Sequence, residues 1–463
     1  MTSHRPTPAP ATVPVASLER RLGPLDAAAI VISNVIGGGI FFVPIIVAMM
    51  VPNGPAMLGV WLLGGALAFA GAMAYAELAA LRPHAGGEYV YLRDAFGPLA
   101  AFLTGWTSFV AGFSGAIAAS ALALGDYVGR FVPAAADATP FFTVPVPLLP
   151  LVVSPRSLVA LSAIAILSLI HMRGLGPGSL VQNILAVVKT SALVVFVAIG
   201  FGLGRGDAAQ ITAGAAAPVG GMLLALVPIM FSYSGWNAAA YVAEEVRNPG
   251  RNVPIALGLG TIAVVLIYVG LNALYLYAFS VPELAALGDA RLIDRVAEKL
   301  FGFVAANLIA VFTIVSLSAS ISAMVLAGPR VYYAMARDGM FLPGAARVHA
   351  QFHTPASAIV AQAIWSGVLV LSGTLSQLVS YTGFAVVLFA AVAVSALFVL
   401  RRREPDAPRP FRAWGYPWAP GIFVVASAFM VVNEMLRNGR TALFGLAVIL
   451  LGIPVYYLFT RRT

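Results

Sequence analysis

Ile30-Val31-Ile32-Ser33-Asn34-Val35-Ile36-Gly37-Gly38-Gly39-Ile40-Phe41-Phe42-Val43-Pro44 is the stretch whose reading decides the fold. Its length and apolar character suit a helix that crosses a bilayer, where a span needs about 20 apolar residues. Yet three consecutive glycines sit near its middle, and together they cost about 3 kcal/mol of helix propensity relative to alanine. Two readings compete. Glycines let membrane helices approach one another closely. They also let a helix unwind, leaving N–H groups at the start of its second half that, with the helix dipole, bind an anion.

A second interruption favours unwinding. Leu226-Val227-Pro228-Ile229-Met230-Phe231-Ser232-Tyr233-Ser234-Gly235-Trp236-Asn237 carries Ser232, Tyr233, Ser234, Gly235 and Asn237 at mid-depth of another apolar run. Interrupted helices at corresponding positions of two halves are the sequence mark of a transporter site. Donors at the first break would meet a carboxylate, and carbonyls freed at both would accept from an ammonium group, so the implied ligand is a zwitterion.

The rest of the chain agrees. Of its 463 residues, 60% are apolar and 10% charged, with a mean hydropathy of +0.92; a soluble protein carries about 25% charged residues. Backbone in lipid must satisfy its own hydrogen bonds, so long apolar runs mean helices. Twelve such runs are predicted, at 25–50, 56–80, 99–125, 157–172, 180–203, 219–243, 254–279, 303–328, 355–373, 376–400, 419–436 and 441–460. They divide the chain into a tail (1–24), a first five-helix unit (25–203), a second (219–400) and two further helices (419–460). The tail lacks the apolar core of a cleaved signal. Eighteen of the 27 Lys and Arg fall on the tail's side of the membrane and eight on the other, which predicts both termini in the cytoplasm. The net charge of +9 is spread over these short connections, a pattern of membrane orientation and not of nucleic-acid binding. With no cysteine, disulfides, thiolate metal sites and cysteine nucleophiles are excluded. Among the connections, 82–98 is expected as a short interfacial helix, 126–156 as irregular, and 281–300 as a solvated outer loop with some helix.

No acidic residue lies near either break in the sequence, which favours a neutral ligand over a strongly basic one. Phe231, Tyr233 and Trp236 are candidates for its side-chain pocket, with plain core packing the alternative for each. Lys189 stands near the middle of the fifth span, where a charge costs about 2.5–3.5 kcal/mol on insertion scales and is functional by default. Gln182 and Asn183 roughly share its face. Lys189 is either a fixed internal cation in place of Na⁺ or a group that loses and regains a proton. Tyr268 and Asn272 share a face of the seventh span and could line the same cavity. His349 and His353 have metal-pair spacing but sit in a loop without a catalytic glutamate, so no metal or cofactor is expected.

The chain resembles the amino acid–polyamine–organocation superfamily of permeases, and within it bacterial relatives of the L-type amino acid transporter light chains. The resemblance rests on Ile36-Gly37-Gly38-Gly39-Ile40-Phe41; Tyr75-Ala76-Glu77-Leu78 with Ala85-Gly86-Gly87-Glu88-Tyr89 and Ala95-Phe96-Gly97; Tyr233-Ser234-Gly235-Trp236-Asn237 with Glu244-Glu245-Val246-Arg247-Asn248-Pro249; Arg330-Val331-Tyr332-Tyr333-Ala334-Met335-Ala336-Arg337-Asp338-Gly339; and Arg409-Pro410-Phe411 with Gly415-Tyr416-Pro417. It implies an all-α membrane protein of twelve helices, with a five-plus-five inverted repeat of the leucine-transporter type and two extra helices. It also implies amino acid uptake or exchange by alternating access. The carboxylate would meet the backbone of Gly37, Gly38 and Gly39, the amine the carbonyls of Ile36, Phe231 and Ser234, and Tyr268 would bridge the first and seventh helices. Lys189 matches a lysine that occupies a sodium ion's space in several relatives, implying Na⁺-independence. The family motif often has Ser where this chain has Gly38, so one contact to the carboxylate is lost. A chain without cysteine cannot be disulfide-linked to a heavy chain as animal light chains are; a homodimer stays open.

The leading expectation is therefore a Na⁺-independent permease for neutral L-amino acids in the inner membrane, working by exchange or proton coupling. The alternative is a cationic amino acid or polyamine antiporter, should a carboxylate reach the site from elsewhere. A channel has no need of two equivalent breaks, and an intramembrane enzyme would need a catalytic pair or metal cluster that the sequence lacks.

Overall fold

A computed structural model describes residues 18–145, 150–288, 291–372, 375–437 and 439–460. The tail expected over 1–24 lies mostly outside them. From Leu22 onward the chain is held: Leu22 N–H donates to Glu245 O and Arg247 N–H to Leu22 O, both at 2.9 Å. The end of the bundle at which Leu22 enters is called the tail end below, and the opposite one the far end.

The first run is two helices, α1 (Pro24–Val35) and α2 (Val43–Met50), separated at the glycines. Pro24 starts α1 where a missing N–H costs nothing, and Asp26 Oδ2 accepts from Gly23 N–H at 2.7 Å. α3 (Gly54–Leu81) is capped by Asn53, whose side chain accepts from Ala56 N–H. α4 (Glu88–Phe96) is the short helix expected in 82–98. It does not float in the interface, because Tyr89, Val90, Tyr91 and Leu92 are buried in the bundle. Gly97, at φ +94°, then turns the chain sharply into α5 (Pro98–Thr107), a conformation costly for a residue with a Cβ.

α5 runs through a π-helical turn at Ser108–Gly112 into α6 (Phe113–Val128). Such turns release backbone carbonyls from the helix and are frequent at functional sites. Here Tyr332 OH donates to Ser108 O and Trp365 Nε1–H to Val110 O. The following connection is not wholly irregular: β1 (Phe142–Val144) and β2 (Leu151–Val153) pair antiparallel, with Thr143 opposite Val152. α7 (Pro155–Met172) and α8 (Leu175–Leu203) follow.

After the single turn α9 (Ala209–Thr212) comes a second interruption: α10 (Val219–Tyr233) breaks before the one-turn α11 (Ala238–Tyr241). α12 (Pro249–Ala278) packs on α3 and α1. In 281–300 the chain forms α13 (Val281–Ala286) and α14 (Leu292–Phe301); the latter buries Leu292, Ile293, Val296 and Leu300 beside α15 (Phe303–Arg337), so much of this loop is docked and not solvated. α16 (Ala356–Ser372), α17 (Leu375–Arg403), α18 (Trp418–Arg437) and α19 (Gly439–Thr460) finish the bundle.

Among the described residues nine helices are long and apolar enough to cross a membrane, and α1, α10 and α16 are shorter apolar helices. α8 shows why the surroundings are lipid. Its outer face is Ile184, Val187, Val188, Val194 and Val195, all exposed, whereas Gln182 and Lys189 are buried. Polar groups inside and apolar groups outside is the pattern lipid imposes on a helix bundle. The protein is an integral membrane protein.

Candidate functional site

Both breaks are built by short-range bonds that end one helix before the next begins. Past Val35, Gly37 N–H donates to Val35 O at 2.7 Å, a 3-10 turn covers Gly39–Phe41, and α2 restarts with Pro44 in its first turn. The N–H groups of Gly38 and Gly39 make no hydrogen bond among the described residues. At the second break Phe231 O accepts from Ser234 N–H at 3.1 Å and from Ser234 Oγ at 2.7 Å, so the serine side chain closes α10.

The two breaks touch. A Cβ on Gly39 would lie 2.8 Å from Ser232 Oγ, and one on Gly235, whose φ is +99°, would lie 3.1 Å from the Asn34 carbonyl. Only glycine permits that approach. Gly38 differs: nothing stands within 4 Å of where its Cβ would be. Tyr268 OH, from α12, is 2.9 Å from Val35 O and 3.0 Å from Ser232 O, so it ties the ends of both interrupted helices. This exceeds the expected link between first and seventh helices. Asn272 Nδ2 donates to Tyr268 O, one turn back.

Lys189 is fully buried, its Nζ 3.2 Å from Ser33 O on α1 and 2.8 Å from Ser320 Oγ on α15. Ser320 Oγ is in turn 3.0 Å from Ile36 O. The neighbours expected on its face divide: Gln182 is buried beside no hydrogen-bond partner among the described residues, and Asn183 Nδ2 donates to Asp26 Oδ1 at 2.6 Å.

A cavity of about 1560 Å³ opens along the two breaks. Gly37, Gly38, Gly39, Phe231, Ser232, Ser234 and Gly235 line it, with Phe42 facing Phe231 at 6.4 Å between ring centroids. Ser232 Oγ and Thr107 Oγ1, on its wall, have no protein partner among the described residues. It reaches Asp126, Arg156 and Arg291 at the far end and stops at Glu88, Asn237 and Tyr241 toward the tail end.

Five of the residues singled out in the sequence lie behind this wall: Ile36, Tyr233, Trp236, Tyr268 and Lys189. Tyr233 donates to Trp61 O at 3.1 Å and packs with Trp61 and Tyr268, while Trp236 meets Tyr75 edge-on at 4.9 Å and also Phe423. Of the three aromatics expected to form a side-chain pocket, only Phe231 faces the cavity; the other two are held inside by rings on α3, α12 and α18. The carbonyls of Ile36 and Phe231, expected to meet an amine, already accept from Ser320 and Ser234, though a carbonyl has a second lone pair.

Several wall residues escaped the sequence reading, Glu88 the most consequential of them. Glu88 brings a carboxylate to the cavity from α4, its Oε2 accepting from Tyr75 OH at 2.8 Å and from Asn237 Nδ2 at 3.4 Å. The apolar run Tyr89 to Leu92 was the available signal that this helix is docked in the bundle and does not lie in the interface. His349 and His353 lie away from all this: His349 Nδ1 accepts from Gln351 and Phe352 N–H, and His353 reaches Glu19 at 3.2 Å.

A family model described as amino acid permease matches residues 22–455. The chain is 29% identical over 452 residues to the human large neutral amino acids transporter small subunit 2, covering 96% of this chain and 81% of that protein. It is 28% identical over 449 residues to the serine/threonine exchanger SteT of Bacillus subtilis, covering 96% and 98%. It is also 28% identical to the human cystine/glutamate transporter, covering 96% and 85%.

Proposed function

This chain belongs to the amino acid permease family, and from that premise we propose that it carries neutral L-amino acids by Na⁺-independent alternating access across the cytoplasmic membrane. It is a secondary amino acid transporter and not an enzyme. The observation that carries the finer reading is the pair of unbonded N–H groups, Gly38 and Gly39, facing a cavity at the start of a half-helix. Their position suits a substrate carboxylate. Residues Gly37 to Gly39 are the carboxylate end; the carbonyls of Ile36, Phe231 and Ser234 lie toward the amine; and Phe231, Ser232, Ser234 and Gly235 border the side chain. Tyr233, Trp236 and Tyr268 act from behind by holding the second break.

Lys189, placed between Ser33 O and Ser320 Oγ, provides a fixed cation where α1 meets α15, which supports independence from Na⁺. Its relatives include a large neutral amino acids transporter subunit and a serine/threonine exchanger, which supports a neutral substrate. In this reading the nine long helices, the two interrupted ones and α16 make twelve spans. Residues 25–203 and 219–400 form two inverted five-helix repeats, 419–460 adds two helices, and the Lys and Arg excess puts both termini in the cytoplasm. No heavy chain is disulfide-linked to it, and a homodimer is compatible with the fold.

Uptake into proteoliposomes tests this. Labelled L-serine, L-alanine or L-leucine should enter vesicles preloaded with unlabelled amino acid, equally in Na⁺ and K⁺ buffers. Dependence on Na⁺, or no entry of any neutral amino acid, would overturn it. A second reading, a cationic amino acid or polyamine carrier, is favoured by Glu88, which supplies the cavity carboxylate that the sequence lacked near the breaks. Entry of arginine or putrescine with exclusion of the neutral amino acids would select it.

A further inference from the structure

Four carboxylates are buried among the described residues: Glu77, Glu88, Glu245 and Asp294. Three face arginine. Glu77 meets Arg401 at 2.6 Å and Arg409 at 3.2 Å, Glu245 meets Arg330 at 2.8 Å, and Asp294 meets Arg130 at 3.3 Å. Glu88, 8% exposed, meets no cation among the described residues; its partners are the Tyr75 hydroxyl and the Asn237 amide. It is also the one of the four on the cavity wall.

Among the described residues no cation stands beside it to compensate the charge. α3 presents Tyr75, α4 itself Tyr91, α5 Thr104, and the segment after the second break Asn237 and Tyr241, whose hydroxyl accepts from Asn237 Nδ2 at 2.9 Å. Arg93 on α4 is taken up by Asp94 and Asp338, Arg330 on α15 by Glu245, and Arg401 on α17 by Glu77. An ionised carboxylate so buried is unfavourable without a counter-charge. Burial accordingly pushes the Glu88 carboxyl above the ordinary carboxylate range. The cluster also has a mechanical place: it joins the loop helix α4 to the half-helix beyond the second break, where the cavity ends toward the tail.

We propose that Glu88 is the proton-carrying residue of the tail-end gate, so that substrate movement is coupled to one proton. The inference rests on the amino acid transport reading above. A proton from cavity water adds to a Glu88 oxygen; the neutral carboxyl keeps its hydrogen bonds while the gate is shut; when the cluster parts, the proton leaves to water at the tail end. No other bond forms or breaks.

The test uses the full chain in proteoliposomes with labelled L-serine, L-leucine and L-arginine as probes. Exchange at equal pH on both sides is measured first, then net uptake with the outside one pH unit more acidic. For one proton per substrate the ceiling is about tenfold accumulation. The wild type should accumulate its substrate and raise the external pH as it does so. Glu88→Gln, a permanent mimic of the protonated state, should keep exchange of the neutral probes, L-serine and L-leucine, and lose both gradient-driven accumulation and proton movement. Glu88→Asp, which keeps a titratable group, should restore part of both with a shifted pH profile. Wild-type exchange that ignores the gradient would overturn the proposal while leaving the transporter reading intact, as would a Glu88→Gln variant that still follows it. Should Glu88→Gln not fold, an Asp variant with the wild-type pH profile would overturn it too. Absence of exchange for all three probes would overturn the transport reading and this inference together.

Discussion

Lys189 Nζ lies 2.8 Å from Ser320 Oγ, and that hydroxyl sits 3.0 Å from Ile36 O, so a buried lysine on one helix is joined through a single hydroxyl to the first break. Lys189→Ala removes the donor to Ser33 O and to Ser320 Oγ and so cuts the link to the first break. Losing a charged hydrogen-bonding partner in a buried site costs about 1–3 kcal/mol. Exchange should fall by at least about tenfold, the equivalent of 1.4 kcal/mol, while membrane expression stays near normal. Near-normal exchange rates would remove Lys189 from the mechanism.

The three glycines should not be equivalent. Gly39→Ala drives a methyl against Ser232, and forced overpacking costs about 1–3 kcal/mol. It should lower thermal stability in detergent and abolish transport. Gly38→Ser meets open space, so the variant should fold as well as the wild type and bind its substrate at least as tightly, by adding one hydroxyl beside the carboxylate end. Equal damage from both changes would contradict the geometry.

Tyr268→Phe deletes one hydroxyl and keeps the ring packed on Trp61 and Tyr233. The expected loss of stability is small, about 0.5–1.5 kcal/mol. Because that hydroxyl spans Val35 O and Ser232 O, the breaks should lose their mutual position, and substrate affinity should drop more than stability does. Binding by scintillation proximity beside a thermal melt would separate the two.

Arg330 meets Glu245 twice, at 2.9 and 2.8 Å, with both side chains essentially inaccessible. Removing one partner strands a buried charge, at a cost of about 3–5 kcal/mol. Glu245→Ala and Arg330→Ala should each be poorly expressed. The double replacement Glu245→Gln with Arg330→Met should recover yield, since it leaves no charge behind; failure to recover would mean the pair does more than neutralise itself.

The two breaks were legible because interruption stands out against an apolar run: three glycines in one case, Ser-Tyr-Ser-Gly after Pro228 in the other. Lys189 was legible for the same reason, a lone charge in hydrocarbon. Which aromatics face the cavity was not, since Phe231, Tyr233 and Trp236 differ only in angle around a chain that has stopped being helical. Trp61 and Phe423, which draw Tyr233 and Trp236 inward, are 172 and 187 residues away. The π-turn at Ser108–Gly112 has no composition of its own, and the β1–β2 pairing sits in a Pro-rich connection where strand signals are weak. Glu88 was hidden by a sound rule, that a segment mixing charge and aromatics between spans lies in the membrane interface. Tertiary docking of Tyr89 to Leu92 overrode it.

The segment after the second break is tied down at the tail end. Glu245 to Arg330, Glu244 to Arg337, Asn237 to Glu88, and Leu22 on both sides of Val246 all hold it at the tail end. A molecule must break these before a solute on that side can meet the glycines, and a site that is competent only part of the time binds more weakly by that fraction. The same amino acid should therefore show a lower half-saturation concentration from the far side than from the tail side. A permease so built fills readily from one compartment and empties readily into the other, even where its chemistry of recognition is identical in both.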